Sequence, residues 1–176
     1  RCRQAAFSSD GKSVFALCDF DGEVELWQLD ALGGGKPKQI TDGAKVLRTD
    51  LAVAPDGRHI AHADLAGAVY LTDLKAETGP EQPCGLTKPG EGSGLRSDAA
   101  CKAEGGAKTR KIDQLPDDYG IAFAWHPDGQ ALAYVRRPEG GGARGQVWLH
   151  TLADGKNQAL TSARYDSGAP AFSPDG

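Results

Sequence analysis

"APAFSPDG", residues 169–176, ends in the turn whose repetition decides the fold. Pro174 presets φ for one central turn position, Asp175 can hydrogen-bond back to its own backbone, and Gly176 takes conformations that other residues resist. The same signal occurs four times: "FSSDGK" from Phe7, "VAPDGR" from Val53, "WHPDGQ" from Trp125 and "FSPDG" from Phe172. Its aspartates, Asp10, Asp56, Asp128 and Asp175, lie 46, 72 and 47 residues apart. Two intervals agree, and the third is longer by about 25 residues, as an insertion would make it.

Each turn is followed by an apolar stretch ("SVFALCD", "HIAHAD", "ALAYVR"), a Gly and a second apolar run. In that run Val24, Leu26 and Leu29 align with Val69, Leu71 and Leu74, and with Val147, Leu149 and Leu152. "KQIT" (38–41) and "QALT" (158–161) close the first and third units, with "KID" (111–113) as the counterpart in the second. Each unit therefore reads as four short strands. Asp21-Gly22 predicts a two-residue hairpin turn between the second and third strands of the first unit. Trp27 and Leu29 occupy one strand parity and Val24 and Leu26 the other, so both faces carry bulk and are expected to lie between neighbouring sheets.

Four antiparallel strands repeating at this period predict an all-β protein, a β-propeller of packed blades around a channel. The expected units are 1–48, 49–120 and 121–166, with 167–176 supplying the first strand of a further blade. The chain thus reads as a segment of a longer propeller, about three four-stranded blades plus that strand. Residues 76–110 form the predicted insertion, a flexible loop rich in Gly, Pro, Lys, Glu and Ser with almost no large apolar residue to bury.

A net charge of −4 and 39% hydrophobic residues describe a turn-rich globular chain that does not favour nucleic acid, and no apolar run approaches a membrane span. Cys2 and Cys18 fall in predicted strands and read as small buried hydrophobes. Cys84 and Cys101 sit in the loop, where they would form a disulfide in an oxidising compartment, and their spacing fits no zinc pattern.

Residues that suggest chemistry have structural readings. His59 and His62, three apart in a strand, fall on opposite faces; His126 replaces a turn Ser, and His150 aligns with Trp27 and Thr72. "DFDGE" (19–23) lacks the pattern of a calcium loop and reads as a hairpin, while "DQLPDDY" (113–119) reads as a solvated inter-blade link. "GSG" (92–94) is not a nucleophile elbow. No catalytic, metal or cofactor residue is assigned.

The turn consensus and closing Leu-Thr resemble the WD40-like propeller repeats of the TolB family and several peptidases. "DGEVELWQLDALGGGKPKQITDGAKVLRTD" (21–50), "PDGRHIAHAD" (55–64), "FAWHPDGQALAYVR" (123–136) and "VWLHTLADGKNQALTSARYDSGAPAFSPDG" (147–176) resemble the seven-bladed propeller of tricorn-type serine proteases. The insertion departs from that pattern, as does Thr49, which stands where an aromatic is expected. The resemblance implies a non-catalytic segment that filters oligopeptides on their way to a catalytic domain of the same, homo-oligomeric parent chain. It implies a cytoplasmic setting, with the periplasm as the alternative. The competing expectation is a TolB-like protein-binding propeller of the cell envelope, without enzymatic activity.

Overall fold

The computed structural model describes residues 1–75, 107–116, 121–137 and 144–176. Its strands form three four-stranded antiparallel meanders. The first contains β1 (Cys2–Phe7), β2 (Ser13–Asp19), β3 (Val24–Asp30) and β4 (Lys38–Gln39). The second contains β5 (Arg48–Val53), β6 (His59–Asp64), β7 (Ala68–Asp73) and β8 (Lys108–Gln114). The third contains β9 (Phe123–Trp125), β10 (Ala131–Arg136), β11 (Gln146–Thr151) and β12 (Asn157–Ala159). Residues 167–172 join no ladder among the described residues, although the turn after them closes through Gly176 N–H on the Ser173 carbonyl.

Sheets with two apolar faces are stable only when both faces are covered, and here they cover one another. Phe15, Leu17, Val24 and Leu26 of the first sheet pack with Ile60 of the second, with Leu51 and Val53 of β5 beside them. On the other side of the second sheet, Ala61, Ala63 and Val69 pack against Leu132 and Tyr134 of the third. The first strands form an inner row, with β5 between β1 and β9. Trp125 Nε1 donates to the Ala52 carbonyl at 3.1 Å, and Ile121 N–H to Asp50 Oδ2 at 3.1 Å, tying β9 and its approach to β5.

Four sequence expectations need correction. Cys2 and Cys18 are not separate thiols but a disulfide. The antiparallel ladder sets them opposite each other, a cross-strand relation that a list of apolar positions does not contain. In the first unit the ladder stops at Asp19 and Val24, so four residues, Phe20 to Glu23, form the hairpin rather than two.

The third correction follows from that hairpin. Leu17 pairs with Leu26, Ala63 with Val69 and Val135 with Val147, so hairpin length differs in all three sheets. Leu26, not Val24, is the partner of Val69 and Val147, and Trp27 aligns with Tyr70 and Trp148. A slip of two residues keeps every side chain on its face, so the apolar pattern could not expose it. His150, opposite Leu132, consequently matches Thr72 opposite Ile60 and Leu29 opposite Val14, but not Trp27. Finally, Lys108–Arg110, assigned to the insertion, belong to β8, where they pair with Asp73, Thr72 and Leu71. The rest of that expectation, with Cys84, Cys101 and "GSG", lies outside the described residues apart from Ala107.

Candidate functional site

The inner turns are built alike and lean on each other. In each, the aspartate Oδ1 accepts the amide two residues on: Lys12 at 3.1 Å, Arg58 at 2.8 Å and Gln130 at 2.8 Å. Those amides hold the Asp10 and Asp128 carboxyls below the usual range, with Ser8 the larger influence on Asp10. Burial pushes the Asp56 carboxyl up, but the Arg58 amide and His59 outweigh it and leave it lowered. Gly57 and Gly129 have φ of 65° and 73°, and their turns press on the preceding one. A Cβ on Gly57 would lie 2.6 Å from Ser9 Oγ, and one on Gly129 2.7 Å from Asp56 Cβ. Gly176 stands in the same relation to the His126 ring.

Behind this rim a polar chain runs from the first sheet through the second. Glu25, 1% exposed, lies in β3 between Val24 and Leu26 and would be costly there without partners. Its Oε2 accepts the Thr41 hydroxyl at 2.6 Å and Arg48 Nε at 2.9 Å, and its Oε1 accepts the Ala44 amide at 2.6 Å. Arg48 also faces His62 Nδ1 at 3.3 Å and lies over the Tyr70 ring. A guanidinium only donates, so Nδ1 must carry the lone pair and Nε2 the proton. That proton goes to Thr72 Oγ1 at 3.0 Å, and Thr72 continues to Thr109 Oγ1 at 2.8 Å. Burial, seconded by the Arg48 charge, brings the His62 pKa down to about 3, so the ring is neutral.

A cleft of about 350 Å³ opens between the second and third sheets, lined by Arg58, His59, Leu71, Asp73, Lys108, Arg110, Gln130, Leu152 and Ala153. Arg58 grips Asp73 bidentately, Nε on Oδ1 at 2.8 Å and Nη2 on Oδ2 at 2.6 Å, which lowers the Asp73 carboxyl. His59 Nδ1 sits 2.6 Å from Asp56 Oδ2. Between the second and third sheets, Arg110 Nη2 meets His150 Nε2 at 3.5 Å, and His150 Nδ1 meets Asn157 Oδ1 at 2.6 Å. Asn157 Nδ2 then donates to the Ile112 carbonyl, so β8 is fastened to the third sheet.

The four histidines flagged in the sequence thus serve different places: His59 a turn and the wall of the cleft, His126 a turn, His62 the polar chain, and the buried His150 the contact between β8 and the third sheet. "DFDGE" is a hairpin in which Asp19 Oδ1 accepts the Gly22 amide at 3.0 Å. Of "DQLPDDY", Asp113 accepts the Tyr134 hydroxyl at 2.6 Å, and burial, seconded by Asp113, raises that phenol's pKa; 117–119 lie outside the described residues. Sequence reasoning passed over Glu25, Arg48, Lys108 and Arg110. For the first pair a signal existed, since a carboxylate in a strand covered on both faces requires a cation nearby.

No protein-family profile matches the sequence. Solved structures do match the fold. The tricorn protease superposes on 99% of this chain and 14% of its own, with TM-score 0.70 and 17% identity. TolB from Acinetobacter baumannii superposes on 96% of this chain and 34% of its own, with TM-score 0.63 and 19% identity. The Cps50 (Swd1) β-propeller domain of Myceliophteria thermophila covers 98% and 47%, with TM-score 0.56 and 11% identity. The fold is that of a β-propeller. The three blades span well under two thirds of each of these proteins, and at such identities the likeness concerns architecture alone.

Proposed function

We propose that this chain is a non-catalytic propeller segment of a tricorn-like serine peptidase, where it controls the passage of short peptides to an active site elsewhere in the parent protein. The observation carrying the reading is the inner rim. Gly57 and Gly129 let each turn close on the side chain of the preceding turn, Ser9 and Asp56, so that successive turns form one packed rim. Such a rim suits passage of an extended chain and exclusion of a folded one. The superposition on the tricorn protease, over nearly the whole chain, supports the same setting. A cytoplasmic, homo-oligomeric parent belongs to this reading.

The test uses the protein in its full length. Short fluorogenic peptides should be cleaved, folded proteins spared, and a serine-directed inhibitor should abolish turnover. Absence of hydrolysis across a broad peptide panel would overturn the reading.

One observation favours a second reading, a TolB-like protein-binding propeller of the cell envelope. The Cys2–Cys18 disulfide is of a kind that persists in oxidising compartments and is rare in the cytosol. Fractionation combined with thiol labelling of the native protein separates the two. An exported protein with blocked Cys2 and Cys18 and no peptidase activity supports the envelope reading.

A further inference from the structure

We propose that the cleft between the second and third blades binds a carboxylate carried on a short apolar body, such as an N-acylated amino acid or the free C-terminal residue of a peptide. The charge balance of its walls points there. Arg58, Lys108 and Arg110 contribute three positive charges and Asp73 one negative charge. Asp73 is engaged by both arms of the Arg58 guanidinium. Lys108 and Arg110 have no such carboxylate: the Lys108 ammonium makes no hydrogen bond or ion pair among the described residues, and Arg110 meets Nε2 of the His150 ring.

Both cations come from β8 and are two residues apart, so they project from one face of the strand. The inter-sheet contact through His150 and Asn157 keeps that face beside the third blade. A carboxylate held between them receives charge-assisted hydrogen bonds without having to displace an existing anion.

The remaining walls choose among anions. Leu71 is buried, while Leu152 and Ala153 line the opposite side. Inorganic phosphate or sulfate gains nothing from apolar walls. An aliphatic side chain attached next to the carboxylate does, and the volume lies at the lower end of the range for small-molecule sites. Gln130 offers an amide to the polar backbone of such a ligand. The assignment holds whether or not the parent protein is a peptidase.

Calorimetric titration of the full-length protein with N-acetyl-leucine tests it, with N-acetyl-leucinamide as the uncharged control. Saturable binding of the acid and none of the amide is expected. Lys108→Gln should weaken the acid about tenfold or more, and Lys108→Arg should retain it. Because the Lys108 ammonium touches nothing else described, loss in the Gln variant reports on the ligand rather than on folding. A tripeptide ending in free leucine then separates the two sources: tighter binding than N-acetyl-leucine identifies a peptide end, and equal binding a small acyl amino acid. Equal binding of acid and amide, or unchanged affinity in both Lys108→Gln and Arg110→Gln, would overturn the proposal.

Discussion

Removing the Glu25 carboxylate should destabilise the protein far more than a typical strand substitution. Its two oxygens receive three donors, from Thr41, Ala44 and Arg48, and Arg48 is itself buried. Glu25→Ala removes the one ion pair Arg48 makes among the described residues, leaving its guanidinium with a neutral imidazole and an aromatic face. Breaking one half of a buried ion pair costs about 3–5 kcal/mol. In a domain of this size, that corresponds to a fall in Tm of roughly 6–20 °C. Glu25→Gln keeps the shape but offers an amide NH₂ where every partner is a donor, so it should lie between parent and Ala. The deciding assay is a double-mutant cycle of Glu25→Ala and Arg48→Ala by urea unfolding. The pair should cost less than the sum of the single changes, with a coupling of about 2 kcal/mol or more. Additive losses would refute the claim that one buried charge stabilises the other.

The remaining predictions concern protonation, turns and the disulfide. His62 is neutral when folded, with a pKa of about 3, and protonates near 6.5 when unfolded; stability is complete above that upper value and falls as pH drops towards the lower one. The loss should approach about 1.4 kcal/mol per pH unit inside that window, and His62→Gln should flatten the measured slope. Alanine at Gly11, Gly57 and Gly129 should destabilise in that order in urea midpoint measurements. All three require positive φ, but Gly11 has open space, Gly57 meets a movable Ser9 hydroxyl and Gly129 meets Asp56 Cβ. Equal losses would remove turn packing from the account. Reduction of Cys2–Cys18, which closes a loop with sequence separation 16, should lower stability by about 3 kcal/mol, and native mass spectrometry without reductant should find the two cysteines in one bridged peptide.

Much of the fold was legible because turn chemistry is local. Pro, Asp and Gly mark the inner turns by their own backbone preferences, and the apolar runs between them mark strands. What the sequence concealed depended on pairing. The first blade's longer hairpin displaced Val24 from the position its pattern suggested, and only the ladder opposite Leu17 reveals that Leu26 belongs there. The same holds for Cys2 and Cys18, which are neighbours only across β1 and β2. The cleft was hidden for another reason. Lys108 and Arg110 were grouped with a polar insertion by composition, yet β7 recruits them into its ladder and turns them towards the next blade.

Phe7 pairs with Val14, Val53 with Ile60 and Trp125 with Leu132, the same interval in every blade, while the hairpin at the far end of the second strand changes length each time. The nesting of each inner turn against its predecessor accounts for this inequality. An extra residue there would disturb two blades at once, whereas the far hairpins already differ in length from blade to blade. Insertions and deletions should therefore accumulate on one side of the repeat and be rejected on the other. For protein engineering, this gives the module a grafting end, at the second hairpin, and an end whose length must be left alone.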